Sequence, residues 1–178
     1  PKDARTLVAA INVGRFQESG NQAQYYEQIL ALSKDVEDFG EQLFGLHQKL
    51  AILYIKSGDE TKVTEHIQAA GLLKSESEWR PGMCCLPLLK IPPKYPLRAA
   101  SLRVEGYVLV SYVVTKMGTV RDPVVIESSP PPDTRFGRDF AKAAIRAVLQ
   151  YRYVPQYVNG EPIEVQGVRG RIAFDLSD

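Results

Sequence analysis

Residues 104–115 read VEGYVLVSYVVT, and this stretch decides the fold of the second half of the chain. Its period of two is typical of an extended strand, and both faces of that strand are largely apolar. One face holds Val108, Val110, Tyr112 and Val114, and the other holds Tyr107, Leu109, Ser111 and Val113. The following Lys116-Met117-Gly118-Thr119 indicates a hairpin turn, because Gly118 takes a positive φ at no steric cost.

The residues after this turn predict the rest of a small α+β domain. A returning strand over 120–127 contains Pro123, which has no N–H to donate, so we expect an edge strand. A helix capped by Asp133 or Thr134 is expected to run through about Leu149. Its apolar stripe consists of Phe136, Phe140, Ala144 and Ala147. Asn159-Gly160 indicates a turn, and a last strand is expected over Val165–Leu176. This order of elements predicts an antiparallel sheet with helices on one face.

Proline divides the chain into two halves. Only Pro1 precedes residue 81, and the other eleven prolines lie in 81–178. Because a helix interior does not tolerate proline, residues 2–78 can form long helices and the later residues cannot. Five prolines fall in 79–96, which favours an extended segment packed onto a domain. The sequence therefore predicts a helical domain over 1–78, a proline-rich packed linker over 79–93 and a second domain over 94–178.

The first half shows apolar residues at helical spacings of three and four. Ser57-Gly58-Asp59 separates two predicted helices, because Gly58 terminates one and Asp59 caps the next. Small and bulky residues around this turn resemble the tetratricopeptide pattern over about 44–77. They are Ala51, Tyr54, Gly58, Val63, Ile67 and Ala70. An upstream helix pair around Ser19-Gly20-Asn21 fits less well. We expect an all-α domain of tetratricopeptide-like helical hairpins, with a plain antiparallel bundle as the alternative.

Composition and charge exclude several classes of protein. The chain has 178 residues, 44% of them hydrophobic, which suits a globular protein with a sizeable core. Its 22 Lys+Arg and 21 Asp+Glu give a net charge of +1, which argues against a dedicated nucleic-acid binder. The longest apolar stretch, about Tyr107–Val114, is far shorter than the ~20 residues of a membrane-spanning helix. The chain starts at Pro1 without a Met, so we interpret it as a fragment, with any anchor or export signal upstream.

No residue pattern indicates catalysis. His47 and His66 lie on predicted helices, nineteen residues apart, without a partner at ligand spacing, so neither is assigned a metal or catalytic role. No phosphate-binding glycine loop is visible. Cys84 and Cys85 are either two small buried hydrophobic residues or members of disulfides with cysteines outside this chain. We therefore expect a protein that is not an enzyme and uses no cofactor, metal ion or small-molecule substrate.

The second face of the predicted hairpin needs a cover. Tyr107, Leu109 and Val113, with Val124 and Ile126 of the returning strand, make this face apolar. A sheet face in contact with water is normally polar. We expect the helical domain, the linker residues 84–91 or a second copy of the chain to cover it, so a homodimer is one candidate. An exposed apolar surface is the alternative.

From Pro93 onward the chain resembles the C-terminal domain of TonB-type energy transducers. The resemblance is carried, in order, by Pro93-Lys94-Tyr95-Pro96, Arg98-Ala99-Ala100, Val104–Val110, Gly118-Thr119-Val120, Tyr151-Arg152-Tyr153-Val154-Pro155, Asn159-Gly160 and Ile172-Ala173-Phe174. It covers roughly half of the chain. The resemblance implies a periplasmic domain that relays energy from an inner-membrane motor complex to outer-membrane transporters.

The resemblance also implies a partner and a site. Its family grips the N-terminal segment of an outer-membrane TonB-dependent transporter and adds that segment as a strand to its own sheet. The partner-binding residues expected here are Val165, Gly167, Val168, Arg169, Gly170, Arg171, Ile172, Tyr95 and Pro96. Arg169 and Arg171 are two apart, so they project from one face, where they can meet acidic groups of the partner.

The helical half departs from this family pattern. Helical repeats stand where the family has a proline-rich spanning segment. We expect an inner-membrane anchor and contact with the motor complex only through a segment upstream of this chain. The alternative function is a periplasmic scaffold whose helical domain binds a protein partner without energy transduction.

Overall fold

A computed structural model describes residues 3–17, 21–33, 36, 39–74 and 85–176. The chain divides into two compact units. The helical unit comprises Pro1–Met83 together with Tyr157–Pro162, and the sheet unit comprises Cys84–Gln156 and Ile163–Asp178. Helices dominate the first unit and an antiparallel sheet organises the second, so the predicted α+β class is confirmed.

The helical unit contains α1 (Ala4–Gly14), α2 (Gln22–Leu32), α3 (Gly40–Ser57) and α4 (Glu60–Leu72). The predicted stop and start between the last two are confirmed. Gly58 ends α3 in the left-handed conformation at φ +80°, which a glycine adopts without strain. Asp59 caps α4, since its carboxylate accepts a hydrogen bond from the Lys62 amide at 3.0 Å.

The apolar stripes of these helices meet in one core. Its buried residues are Leu7, Tyr26, Ile29, Phe39, Leu46 and Leu50. The small and bulky residues of the repeat pattern lie between α3 and α4, and Ala51, Val63, Ile67 and Ala70 are at most 2% exposed. The structure thus shows a helical hairpin at these positions, and its tetratricopeptide character stays a prediction.

A short hairpin from the second half of the sequence belongs to the helical unit. It consists of β5 (Tyr157–Val158) and β6 (Glu161–Pro162), joined by the predicted Asn159-Gly160 turn. Both turn residues have positive φ, +52° and +78°. The Tyr157 hydroxyl donates a hydrogen bond to the Gln68 carbonyl of α4 at 3.1 Å. This contact fixes the hairpin to its helix.

The sheet unit is built around three long antiparallel strands. They are β2 (Gly106–Val114), β3 (Val120–Ser129) and β7 (Val165–Phe174), in the spatial order β3-β2-β7. The predicted hairpin joins β2 to β3, and Gly118 takes φ +74° in its turn. Helix α6 (Arg135–Val148) begins at Thr134, whose hydroxyl accepts from the Gly137 amide at 3.1 Å. It packs on β2 and β3, and the predicted helix on one face is confirmed.

One face of β2 forms the core of this unit, as its alternation predicts. Its residues Val108, Val110, Tyr112 and Val114 are at most 2% exposed. They lie in one cluster with Phe140 and Ala144 of α6 and with Phe174 at the end of β7. Burying each large apolar side chain contributes about 1.5–3 kcal/mol to folding. This core fixes the position of β7.

Three features differ from the expectation. Part of the proline-rich linker is a strand, β1 (Leu86–Leu89), which pairs with β4 (Arg152–Val154) in a second small sheet. A short helix, α5 (Leu97–Ser101), follows it. The last strand ends at Phe174 and not at Leu176. Because β1 depends on a partner strand far along the chain, the local sequence does not reveal it.

Of the two adjacent cysteines, only Cys85 lies among the described residues. Cys84 lies outside the described residues. Cys85 is 6% exposed and belongs to the core cluster of the sheet unit. Its burial agrees with a small hydrophobic side chain, and a disulfide of either cysteine stays a prediction.

The second face of the sheet is not covered throughout. Tyr107, Leu109 and Val113 are half-buried, whereas Val124 and Ile126 of β3 are 61% and 48% exposed. Residues 85–176 of the sheet unit therefore supply no cover over this β3 side of the face. The helical domain or a second copy as the cover stays a prediction.

Candidate partner-binding edge

Strands β3 and β7 form the two edges of the three-stranded sheet, because β2 pairs with both of them. Among residues 85–176, no strand pairs with the outer edge of β7. An edge strand presents unpaired N–H and C=O groups and is a template for a further strand. The sheet unit thus offers two edges for strand addition, and their sequences differ.

The β3 edge is poorly suited to accept a strand. Pro123 lies within it and lacks an N–H, and Asp122 has φ +51°. Its register against β2 also shifts twice. By contrast, β7 pairs with β2 in one unbroken register from Val168 to Phe174, and it contains no proline. The regular edge is therefore that of β7, the strand predicted from the resemblance.

A bulge at Gly167 marks where this regular edge begins. The register shifts between Tyr112 and Val114, so that β7 has one residue more than β2 across this step. Gly167 has φ +70°, a conformation that side chains with a Cβ rarely adopt. Of the predicted site residues, Val165 and Gly167 precede the regular edge, and the others of β7 lie along it.

The exposed charged side chains of β7 are both basic. Arg169 and Arg171 project to the second face of the sheet, opposite Ser111 and Leu109 of β2, as their spacing predicts. The Arg171 guanidinium lies 4.2 Å from the centre of the Tyr107 ring. The Tyr107 hydroxyl donates to the Glu127 carboxylate, and this hydrogen bond raises the pKa of Tyr107. The edge strand therefore carries two cationic side chains on the second face of the sheet.

The inward side chains of β7 fasten it to the core. Ile172 is 4% exposed, and Val168 is half-buried. Gly170 lies over the Tyr112 ring, where a Cβ would come within 3.2 Å of the Tyr112 hydroxyl oxygen. That hydroxyl lies 2.5 Å from the hydroxyl of Tyr153. Burial raises the pKa of Tyr153, so this phenol stays neutral. At these three residues the strand is held against the core, and its backbone forms the outer edge of the sheet.

The two remaining predicted residues lie at different places. The Tyr95 hydroxyl donates to the Val104 carbonyl at 2.8 Å and lies 3.4 Å from the carbonyl oxygen of Phe174. Tyr95 thus supports the C-terminal end of β7. Pro96 lines a groove of about 590 Å³ between residues 91–97 and α6. The structure therefore brings Tyr95 to the candidate edge and places Pro96 beside the helix.

A polar cluster in the helical unit was not predicted. The Nδ1 atoms of His47 and His66 are 2.9 Å apart, and His66 Nε2 lies 3.1 Å from Glu27 Oε1. The sequence assigned these histidines no role, because they are nineteen residues apart. A usable signal was present, since His47 follows Leu43 by four residues and His66 precedes Ala70 by four. Both histidines therefore lie at helical spacing from core residues.

Two further observations bound the chemistry of the described part of the chain. No group of three or more His, Cys, Asp or Glu side chains in it is arranged to hold a metal ion. None of its helices is both long enough and apolar enough to cross a membrane.

Comparison with known proteins identifies the sheet unit. Residues 91–176 match the family model described as Gram-negative bacterial TonB protein C-terminal. The solution NMR structure of the Pseudomonas aeruginosa TonB C-terminal domain is 26% identical, over 53% of this chain and 88% of that one, with a TM-score of 0.43. The TonB2 protein from Vibrio anguillarum is 30% identical, over 52% of this chain and 82% of that one, with a TM-score of 0.37. None of the curated proteins matches this sequence. Through residues 91–176, the chain belongs to the family of Gram-negative bacterial TonB protein C-terminal domains.

Proposed function

We propose that this chain binds the N-terminal segment of an outer-membrane TonB-dependent transporter by adding it as a strand to β7. The observation that carries the proposal is the open, proline-free edge from Val168 to Phe174. TonB C-terminal domains are periplasmic and generally interact with such transporters, which supplies the class of partner. In strand addition the main chain provides affinity and alternate side chains provide specificity.

The expected affinity follows from the number of backbone bonds. The regular edge is long enough for about four to six added hydrogen bonds, each worth ~1 kcal/mol. Ordering of the peptide offsets part of this gain, so the dissociation constant is expected to be about micromolar. Arg169 and Arg171 add a modest, salt-sensitive attraction for acidic residues. A contact of this strength suits a partner that must also be released.

The wider role is part of the proposal. Binding a transporter from the periplasm places the chain in TonB-dependent uptake. Energy transfer additionally requires an inner-membrane anchor and contact with a motor complex. We assign both the anchor and this contact to a segment that precedes these residues. The predicted tetratricopeptide-like hairpins of the helical unit would then stand where related transducers have their spanning segment.

Backbone-methylated peptides test strand addition. The probe is a synthetic peptide of about ten residues, copied from the N-terminal periplasmic segment of a transporter of the same organism. In two series, the amides at even or at odd positions carry an N-methyl group. We expect the unmodified peptide to shift the amide resonances of residues 168–174, and only one methylated series to keep that effect. Equal binding of both series, or no shifts at millimolar peptide, contradicts strand addition.

The scaffold function is the second candidate, and one observation favours it. Phe16, just after α1, is 81% exposed, and Val13 in the same turn is 51% exposed. Exposed apolar side chains of this kind mark surfaces that bind other proteins. The same titration separates the two functions, because a scaffold predicts resonance shifts confined to the helical unit.

A further inference from the structure

We propose that His47 and His66 form a proton-binding site that holds α2, α3 and α4 together while it carries at most one extra proton. Binding of a second proton separates the two rings and opens the helical unit. This proposal rests on the geometry of one side-chain cluster. It does not depend on strand addition to β7.

Four side chains from three helices meet in this cluster. His47 and Tyr54 come from α3, His66 from α4 and Glu27 from α2. Besides the contacts between the rings and to Glu27, the Tyr54 hydroxyl donates to the same Glu27 Oε1 at 3.0 Å. His66 is 1% exposed, and the Tyr54 ring stacks on it with centroids 5.5 Å apart and 6° between the planes. The contacts therefore tie all three helices to one imidazole.

Hydrogen counting fixes the neutral arrangement. An ionised carboxylate only accepts hydrogen bonds, so His66 Nε2 carries a hydrogen toward Glu27. His66 Nδ1 then has a free lone pair, and it accepts the hydrogen on His47 Nδ1. With both rings neutral, each pair of facing polar atoms in the cluster therefore consists of one donor and one acceptor.

The same counting limits how many protons the pair can hold. One added proton gives three N–H groups on four ring nitrogens, and a single hydrogen still lies between the facing Nδ1 atoms. A second added proton puts a hydrogen on both Nδ1 atoms across 2.9 Å. The hydrogen bond is then lost, and two positive rings face each other. Since like charges at this distance repel strongly, the rings must separate.

The charges around the pair compensate one positive ring and not two. Glu27 of α2 is the carboxylate in direct contact. Glu65 of α4 is 57% exposed and lies 2.9 Å from Lys62 Nζ, which is also 3.9 Å from Glu27. Burial, followed by the charge of His66, lowers the pKa of His47 to about 4. The cluster therefore resists the second proton far below the pH at which an exposed histidine binds one.

The direction of the pH effect follows from this lowered pKa. Once the unit opens, His47 regains its ordinary pKa of about 6.5. Between about pH 6.5 and pH 4, the open form therefore binds more protons than the closed form, and the opening constant rises as the pH falls. One proton gives at most a tenfold rise for each pH unit, and the effect fades as the pH rises above about 6.5.

Hydrogen exchange of the α4 amides tests this site in the full chain. Exchange rates between about pH 7 and pH 5, divided by their intrinsic rates, give the opening constant. The sequence contains only two histidines, so these are the side chains that ordinarily titrate in this range. We expect the opening constant to rise about fifteenfold from pH 6.5 to pH 5, because the slope is only half developed at pH 6.5. A constant that does not change over this range overturns the proposal.

Two variants assign the effect to the pair. In His47→Gln, the amide donates to neutral His66 Nδ1 through its NH2 and accepts from protonated His66 through its C=O. The closed and open forms then bind the same number of protons, so the pH-dependent rise should disappear. Lys49→Gln introduces the same residue at an exposed position of α3, and this variant should keep the pH-dependent rise. A rise that persists in His47→Gln contradicts the assignment. Should that variant not fold, the imidazole resonances of the wild-type protein decide, because two fully charged rings in the closed form at pH 5 are incompatible with the site.

Discussion

The rings of Phe140 and Phe174 stack with their centroids 4.3 Å apart and 14° between their planes. Phe140 belongs to α6 and Phe174 is the last residue of β7, and both are at most 1% exposed. Tyr95 meets both rings edge-on, at centroid distances of 5.9 and 5.7 Å. The C-terminal end of the candidate edge is therefore held by an aromatic cluster of the core.

Removing one ring of this stack should destabilise the sheet unit. Phe140→Ala leaves a cavity beside Phe174 and is expected to lower the free energy of unfolding by about 3–5 kcal/mol. Urea unfolding followed by circular dichroism measures this change. Leu149→Ala is the control, because Leu149 is 45% exposed and should cost less than ~1 kcal/mol. Equal losses in the two variants would contradict the assignment of Phe140 to the core.

The bulge at Gly167 should require glycine. Gly167→Ala places a Cβ at φ +70° and is expected to lower the free energy of unfolding by about 1–2 kcal/mol. Gly40→Ala is the matched control. Gly40 starts α3, and a Cβ added there meets no heavy atom within 4 Å. This control should be neutral or stabilising by about 0.5–1 kcal/mol. Thermal unfolding of both variants decides, and an unchanged Gly167→Ala would contradict the bulge.

The basic side chains of β7 should tune binding without carrying it. Arg169→Gln and Arg171→Gln are each expected to weaken binding of an acidic transporter peptide by up to about fivefold at low salt, since exposed ion pairs contribute about 0.2–1 kcal/mol. The difference should vanish near 1 M salt, where the screening length is about 3 Å. Fluorescence anisotropy measures both effects. Lys116→Gln in the β2–β3 turn should bind like the wild type, and a hundredfold loss in either arginine variant would point to side-chain recognition.

The parts of the fold that follow from nearby residues were predictable. Alternation along 106–114 identifies β2, and Gly118 fixes its turn. The sequence predicts Asp133 or Thr134 as the cap of α6, and Thr134 is the cap. Each of these features depends on contacts within a few residues. Strand β1 is different, because it exists only through pairing with β4, more than sixty residues later. Helix α5 spans five residues directly after Pro96 and is too short to show a period.

The candidate site shows the same division. The resemblance pointed to β7, but only the strand order makes it an edge, and the regular register distinguishes it from β3. Gly167 has a positive φ because β7 has one residue more than β2 at this bulge. The sequence of β7 alone does not reveal this difference in length. The histidine contact depends on the relative rotation of α3 and α4. Spacing along each helix indicates a buried histidine, and packing alone determines which residue it meets.

The apolar second face of the sheet leads to a prediction about assembly. Val124 and Ile126 are 61% and 48% exposed, and Leu109 lies beside them on β2. Because a sheet face in water is normally polar, we expect a second copy of the chain to cover it. Leu109→Lys would then bury an unpaired charge at the dimer interface. This costs several kcal/mol, so the dimer dissociation constant should rise by at least about a hundredfold.

Sedimentation velocity over a range of protein concentrations measures this change. Leu109→Lys should sediment as a monomer at concentrations where the wild type is dimeric, with an unchanged circular dichroism spectrum, because the mutated side chain lies outside the core cluster of the sheet unit. Leu149→Lys introduces the same charge at an exposed position just after α6 and should leave the dimer intact. A wild-type protein that is monomeric throughout the range would show that the face is simply exposed to water.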